Sequence, residues 1–111
     1  MKLEDKKKIV ESLNRDFLEA GELCLDLRNK GLKKTIKSDD TPVTNGDLEV
    51  NRIITNRIKE LTPEIPIVSE ESSLNKDNKT LENFWLIDPI DGTYDYIHNK
   101  DEFTINAALI I

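Results

Sequence analysis

Apolar residues recur at alternating three- and four-residue steps between residues 3 and 30, and lysine and glutamate fill most of the other positions. This spacing places the apolar side chains on one face of a helix, so it predicts one long amphipathic helix that ends at Gly31. Cys24 falls on that face, and we expect a buried core thiol rather than a reactive one. The predicted apolar stripe consists of Val10, Leu13, Phe17, Ala20, Cys24 and Leu27.

A second helical pattern follows Pro42, which disfavours helical backbone at Thr41. Thr44-Asn-Gly-Asp47 has the form of a capping box, with Thr44 as the N-cap and Asp47 three positions later. We expect this helix to end before Pro63. Its predicted apolar face consists of Leu48, Val50, Ile53, Ile54, Ile58 and Leu61.

Short apolar runs predict three strands, at residues 65–69, 84–87 and 103–111, with a break after the second at Asp88-Pro89. A fourth extended piece is predicted at residues 34–37, a polar loop at 72–83 and a helical turn with a loop at 93–99. The order of helices and strands predicts an α+β or layered α/β fold with two helices packed on a sheet.

The composition fits one small soluble domain: 111 residues, of which 37% are hydrophobic and 34% are charged. No apolar run approaches the ~20 residues of a transmembrane helix, and no signal-type apolar stretch precedes the first helix. The single cysteine excludes an intramolecular disulfide and a cysteine zinc cluster. We therefore expect a cytoplasmic protein, with peripheral attachment to the inner membrane left open.

The net charge of −6 argues against a nucleic-acid polymer as partner, because such binding needs a basic surface. A small phosphorylated ligand remains compatible with this charge if metal ions supply the positive charge.

Acidic side chains follow two of the predicted strands. Glu70 and Glu71 come after the strand at 65–69, and Asp88 and Asp91 come after the strand at 84–87. If these strands are parallel neighbours, the acids converge at one edge of the sheet, where α/β proteins bind ligands. Clustered carboxylates repel one another unless a divalent cation lies between them, and an all-oxygen set suits Mg²⁺.

The residues around Asp91 add phosphate chemistry to the predicted metal site. Pro89 stiffens the turn, and the carbonyl of Ile90 is a further candidate oxygen ligand. Gly92 lets the backbone approach a ligand closely, and Thr93 adds a hydroxyl beside amides that suit a phosphate at the start of a helix. Alone, this Asp-Pro-x-Asp-Gly-Thr run is also compatible with an ordinary turn.

Three motifs together resemble the inositol monophosphatase superfamily. Trp85-Leu-Ile-Asp-Pro-Ile-Asp-Gly-Thr93 is similar to its signature W-x-[IV]-D-P-[IL]-D-G-T, and Ser69-Glu-Glu71 to its [GS]-E-E element. Lys37-Ser-Asp-Asp-Thr-Pro-Val-Thr-Asn-Gly-Asp47 is similar to its K-x-D-x-[ST]-P-V-T-x-x-D element. The motifs occur in the family's order, and the resemblance runs from about Leu13 to the last residue. It implies the N-terminal part of the inositol monophosphatase, or sugar phosphatase, fold.

The resemblance implies a Mg²⁺-dependent phosphomonoesterase. It assigns two or three Mg²⁺ ions to Glu70, Asp88, Asp91 and the Ile90 carbonyl, and gives Glu71 an outer role in orienting water or a ligand. Asp47 and Thr93 would form a hydrogen-bonded pair that activates the attacking water. The resemblance assigns contacts with a small phosphorylated substrate to Glu70, Ile90, Asp91, Gly92 and Thr93.

The residues after the signature narrow the subfamily. Glu102-Phe-Thr-Ile-Asn-Ala-Ala-Leu109 resembles the E-F-T-[VI]-N-I-A-L of CysQ-type 3′(2′),5′-bisphosphate nucleotidases, which implies conversion of 3′-phosphoadenosine 5′-phosphate to AMP and phosphate, a step that serves sulfur metabolism. An inositol monophosphatase or related sugar phosphatase, and a non-catalytic truncated relic, are the alternatives. Members of the superfamily are often dimers, so a homodimer is a candidate assembly.

The two ends of the chain predict an incomplete domain. Met1 suits a natural start, whereas the chain stops at Ile110-Ile111, inside a predicted apolar strand. Independent domains usually close with a solvated segment. The W-D-x-A-A-type motif that supplies a further Asp ligand in the family is also missing. We expect residues 1–111 to be the N-terminal metal-binding portion of a phosphatase domain, weak or inactive alone.

Four further side chains receive structural interpretations from the sequence. His98, the single histidine, is expected to be a solvated surface residue rather than a catalytic one. Lys37 is expected to be solvated rather than directed at the phosphate. Trp85, like Phe84 beside it, is expected to pack in the core rather than stack on a base.

Overall fold

Two helices pack in layers on a small sheet in the computed structural model, which describes residues 1–69, 71 and 82–111. In chain order the elements are α1 (Leu3–Lys30), β1 (Lys34–Ile36), β2 (Pro42–Thr44), α2 (Asn45–Leu61), β3 (Ile67–Ser69), β4 (Phe84–Asp91), α3 (Thr93–Ile97) and β5 (Thr104–Ile110). Strands β3, β4 and β5 form one sheet in that order, and β1 and β2 form a separate pair. Helix α1 packs on α2, and α2 packs on β4, so the predicted α+β arrangement is confirmed.

Helix α1 has the predicted bounds, and Leu13, Ala20 and Cys24 on its stripe are buried. The prediction for Val10 is wrong, because this residue is 59% exposed, whereas Ile9 packs against the core. Positions 9 and 10 lie four and three residues before Leu13, so helical spacing permits either, and packing selects one. Within the described part of the chain, no helix combines the length and apolarity that a bilayer crossing requires.

Helix α2 begins with the predicted capping box. The Thr44 side chain accepts a hydrogen bond from the Asp47 backbone N–H, and the Asp47 carboxylate accepts one from the Thr44 backbone N–H. Its buried apolar face comprises Val50, Ile54 and Ile58. Leu48 does not belong to that face, as it is 51% exposed, so this part of the prediction is wrong.

The sequence missed β2 and placed a break in β4 that the structure does not have. Strand β2 pairs antiparallel with β1, and a three-residue strand of this kind is defined by its partner rather than by its own pattern. Strand β4 continues through Asp88-Pro89 to Asp91. Its pairing with β5 shifts register between Asp88 and Asp91, so Pro89 lies in an irregularity where no ladder N–H is required.

Strands β3 and β4 are parallel neighbours, with Ile67 opposite Trp85 and Ser69 opposite Ile87. This is the condition under which the acids after the two strands converge. Trp85 is buried, as expected, and its indole N–H donates to Thr62 Oγ1 at 3.0 Å, which ties β4 to the end of α2.

The Cys24 thiol is fully buried, as the sequence predicted. Burial, and secondarily the charge of Asp47, raises its pKa from 9.0 to about 11. Because the thiolate is the reactive form, we expect iodoacetamide at pH 8 to label the native chain at least about tenfold more slowly than the unfolded chain. Mass spectrometry with and without denaturant measures this ratio, and equal rates in the two conditions would contradict the buried position.

Candidate active site

A cleft of about 350 Å³ lies at the carboxyl ends of β3 and β4, beside the β1–β2 pair. Three separate stretches of the chain contribute to its walls, and they include parts of all three sequence motifs. The lining residues are Lys37, Asp39, Thr41, Pro42, Glu71, Asp88, Ile90, Asp91, Gly92, Thr93 and Tyr94. The fold thus brings most of the predicted site residues to one place, and its volume suits a small-molecule ligand.

A chain of hydrogen bonds fixes the Asp47 carboxylate behind this cleft. Its Oδ2 atom accepts from the Thr44 backbone N–H at 2.9 Å and from the Thr44 hydroxyl at 2.5 Å. Its Oδ1 atom accepts from the Thr93 hydroxyl at 3.0 Å. Asp47 is fully buried, so one oxygen anchors the helix cap and the other holds Thr93 in a fixed orientation.

The Thr93 hydroxyl has two acceptors but one proton. Besides Asp47 Oδ1, the Ile90 carbonyl oxygen lies 3.2 Å from Thr93 Oγ1. A hydroxyl donates one hydrogen bond and can accept two, so the Thr93 oxygen keeps lone pairs for a donor from the cleft. A water molecule there can donate to Thr93 while Thr93 donates to Asp47.

The acids after the two strands meet only in part within the described residues. Asp88, Asp91 and Glu71 all line the cleft, together with Ile90. Glu70, the first acid of the predicted ligand set, lies outside the described residues. Among the residues that the structure describes, no three His, Cys, Asp or Glu side chains form a group that could hold a metal ion. The available donors are nevertheless all oxygens, the set that fits Mg²⁺.

Among the lining residues that the structure describes, four carboxylates face one ammonium group, so the cleft is strongly acidic. Asp39 accepts hydrogen bonds from the Thr41 hydroxyl and backbone N–H, and these bonds lower the pKa of its carboxyl group. Because like charges repel, a phosphate does not bind in such a cleft without added positive charge.

Lys37 forms an ion pair across the cleft. Its Nζ atom lies 3.5 Å from Glu71 Oε1, and the two side chains are 30% and 8% exposed. The expectation of a solvated lysine is therefore wrong. The pair joins the β1–β2 connection to the segment after β3, a contact between residues far apart in sequence.

Gly92 makes the tight link between β4 and α3. Its φ is +91°, and a Cβ at this position would lie 2.8 Å from the Glu102 backbone oxygen. Both the positive φ and the contact exclude a larger residue, and the turn directs Thr93 towards Asp47. Helix α3 has five residues, slightly more than one turn, so its dipole adds little to anion binding.

Helix α2 also supports the segment after β3, through residues that sequence reasoning missed. Ser69 Oγ donates to Asn51 Oδ1 at 2.5 Å, and the Glu71 backbone N–H donates to Ser69 Oγ at 3.3 Å. Asn51 lies one helical turn after Asp47, on the same side of α2. This side of the helix therefore contacts Ser69 of the Ser69–Glu71 motif and Thr93 of the Trp85–Thr93 motif. The available signal was the i, i+4 spacing of Asp47 and Asn51 beside the apolar face of this helix.

A buried tyrosine packs against the start of α2. Tyr96 is fully buried, and its hydroxyl donates to the Cys24 carbonyl at 2.6 Å. Burial is the main cause that raises the pKa of this phenol. Its ring lies against Gly46, since a Cβ there would be 2.5 Å from the Tyr96 oxygen. Sequence reasoning assigned neither Gly46 nor Tyr96 a role.

Tyr94 and His98 form an exposed stack at the rim of the cleft. Their ring centroids are 4.0 Å apart with an interplanar angle of 24°, and Tyr94 is 64% exposed. His98 is exposed, as predicted, but it has a defined neighbour. The signal for Tyr94 was its position directly after Thr93.

Comparison with known proteins gives consistent matches. The sequence profile of the inositol monophosphatase family matches residues 6–111. A 3′(2′),5′-bisphosphate nucleotidase CysQ of Buchnera aphidicola is 35% identical over 107 residues, covering 94% of this chain and 40% of the relative. An IMPase of Thermotoga maritima superposes with a TM-score of 0.78 at 26% identity, covering 94% of this chain and 39% of that one.

A third match is more distant in sequence. An IMPase/NADP phosphatase complexed with Mg²⁺ and phosphate has a TM-score of 0.73 at 20% identity, over 91% of this chain and 39% of that one. At that identity the likeness concerns the fold. The chain thus spans about two fifths of the length of the relatives that it matches.

Proposed function

Because the chain belongs to the inositol monophosphatase family, we propose that it supplies the metal-binding N-terminal part of a Mg²⁺-dependent phosphomonoesterase. The observation that carries this proposal is the hydrogen bond from Thr93 to Asp47. Thr93 lines one cleft with Asp88, Ile90 and Asp91, and the Asp47 carboxylate is buried behind it. A fixed hydroxyl with a carboxylate behind it, next to oxygen donors for a cation, is suited to placing a water against a phosphate ester.

The proposed metal ligands are Glu70, Asp88, Asp91 and the Ile90 carbonyl. The Ile90 carbonyl oxygen has two lone pairs, so it can receive the Thr93 hydroxyl and still face a cation. Bound Mg²⁺ would supply the positive charge that the acidic cleft needs to hold a phosphate. A neighbour of the same fold is described with Mg²⁺ and phosphate, which supports this choice of ion.

Asp47 and Thr93 orient the attacking water in this proposal. The water donates a hydrogen bond to Thr93 Oγ1, and the Thr93 hydroxyl donates one to Asp47 Oδ1. As the water attacks, its proton passes to Thr93 Oγ1 while the Thr93 proton passes to the Asp47 carboxylate, which is the final acceptor. The backbone amides of Gly92 and Thr93 are the proposed donors to the phosphate. Glu71 is held by its ion pair with Lys37 and by the hydrogen bonds through Ser69 to Asn51. We propose that it does not bind the metal itself but orients water or a metal ligand.

The proposed substrate is a nucleotide bisphosphate, 3′-phosphoadenosine 5′-phosphate, which would yield AMP and phosphate. This choice is supported by the relative named 3′(2′),5′-bisphosphate nucleotidase and by the segment that begins Glu102-Phe-Thr. An inositol monophosphatase is the second candidate, favoured by the family profile. Since the chain spans two fifths of its relatives, we expect it to turn over slowly or not at all without the remaining part.

Calorimetric titration of the chain with Mg²⁺ tests the proposed metal site. We expect weak binding that Asp91→Asn lowers at least about tenfold, since even the loss of a group that only orients a ligand costs 10–100-fold in metal affinity. Asp95→Asn, at the residue directly after the last lining residue, is the matched control and should bind as the unchanged chain does. Equal Mg²⁺ affinity in the Asp91 and Asp95 variants would refute the assignment.

A further inference from the structure

One aromatic residue lines the acidic cleft while most of its surface stays open. Tyr94 directly follows Thr93, and it shares the cleft with Asp88 and Asp91. It is nevertheless 64% exposed, in contrast to Tyr96 two residues later, which is fully buried. An exposed aromatic ring at the edge of a ligand site offers a surface on which a planar group can stack.

The ring of Tyr94 is held in place by His98. The two rings stack at 4.0 Å, and His98 Nδ1 lies 2.8 Å from the Tyr94 backbone oxygen. This contact joins a residue of α3 to the residue directly after the helix, four positions later, and restricts both side chains. With the imidazole against one face of the phenol and most of the residue exposed, the open surface of Tyr94 includes the opposite ring face.

We propose that the Tyr94–His98 stack is a platform for the planar base of a nucleotide whose phosphate occupies the cleft. This inference rests on the proposed function and names the part of the substrate that the phosphate chemistry leaves unspecified. An aromatic base has a π face that stacks on a tyrosine ring. A cyclitol has no such face, so the platform selects nucleotide phosphates over inositol phosphates.

The position of Tyr94 suits this role. The amides proposed to hold the phosphate belong to Gly92 and Thr93, and Tyr94 is the next residue along the chain. Because Tyr94 lines the same cleft, a group joined to that phosphate through a ribose is within reach of its ring.

NMR titration of the chain in Mg²⁺ buffer tests the platform, with 3′-phosphoadenosine 5′-phosphate, inositol 1-phosphate and inorganic phosphate as probes. His98 is the single histidine, so its ring proton gives one unambiguous signal. We expect all three probes to shift the Gly92 and Thr93 amides. Only the nucleotide should shift the rings of His98 and Tyr94, because only its base carries a ring current.

Two substitutions at Tyr94 separate stacking from other contacts. We expect Tyr94→Leu to weaken nucleotide binding about tenfold, the size of one base–aromatic stack, and to leave inositol 1-phosphate and phosphate within about twofold. Tyr94→Phe keeps the ring and should bind the nucleotide as the unchanged chain does. The residue is exposed, so neither change threatens folding.

The outcomes distinguish this inference from the proposed function. Suppose that all three probes shift the Gly92 amide. If Tyr94→Leu then weakens the binding of all three equally, or if Tyr94→Phe weakens nucleotide binding as much as Tyr94→Leu does, the platform is refuted and the phosphatase proposal stands. If the nucleotide shifts the two rings but leaves Gly92 unchanged, the stack binds a base outside a phosphate site, and the proposed function fails. If no probe shifts either group, both fail.

Discussion

Replacing Gly46 with alanine is expected to lower the free energy of unfolding by about 3 kcal/mol. The added Cβ would lie 2.5 Å from the Tyr96 oxygen and 2.9 Å from its Cε2 atom. Tyr96 is fully buried and its hydroxyl donates to the Cys24 carbonyl, so the ring cannot move away without breaking that bond. Denaturant unfolding followed by the fluorescence of Trp85 measures the change.

Gly21→Ala is the matched control, and it is expected to have the opposite sign. Gly21 lies inside α1, and no atom comes within 4 Å of the position that its Cβ would take. Alanine in a helix interior should therefore stabilise the chain by up to about 1 kcal/mol, because it lowers the entropy of the unfolded state. If both variants were stabilised, the close approach of Tyr96 to Gly46 would be wrong.

Replacing Asp47 with alanine is the second large effect that we expect, a loss of about 3 kcal/mol of unfolding free energy. The buried carboxylate accepts three hydrogen bonds, two from Thr44 and one from Thr93. Alanine leaves those donors without this acceptor and opens a cavity at the start of α2. Asp26→Ala, an exposed site on α1, is the control and should change stability by less than about 0.5 kcal/mol.

Asp47→Asn separates folding from the proposed chemistry. The amide oxygen can keep both bonds from Thr44, and the amide N–H can donate to Thr93, so we expect a loss of only about 1 kcal/mol. The Thr93 proton then has the Ile90 carbonyl as its remaining acceptor. With no carboxylate to receive a proton, any phosphate release by the chain with Mg²⁺ should fall at least about 100-fold. A folded Asp47→Asn variant with unchanged phosphate release would refute the assigned role.

The local pattern of the chain was sufficient to predict its two long helices and its family. The helical period predicted α1 with its observed bounds, and Thr44 with Asp47 predicted the start of α2. Both features depend on contacts within a few residues, which sequence spacing describes directly. The motif from Trp85 to Thr93 likewise indicated the family that the profile of residues 6–111 shows.

The tertiary structure decided what depends on contacts between distant residues. It selected Ile9 over Val10 for the core, continued β4 through Pro89, and paired Lys37 with Glu71 across the cleft. None of these follows from local spacing, because each depends on which surface another element presents. The sequence by itself determined which residues carry the proposed chemistry. Only the packing of α2 against β4 and Tyr96 placed Asp47 within 3.0 Å of Thr93, since these residues are 46 positions apart in the chain.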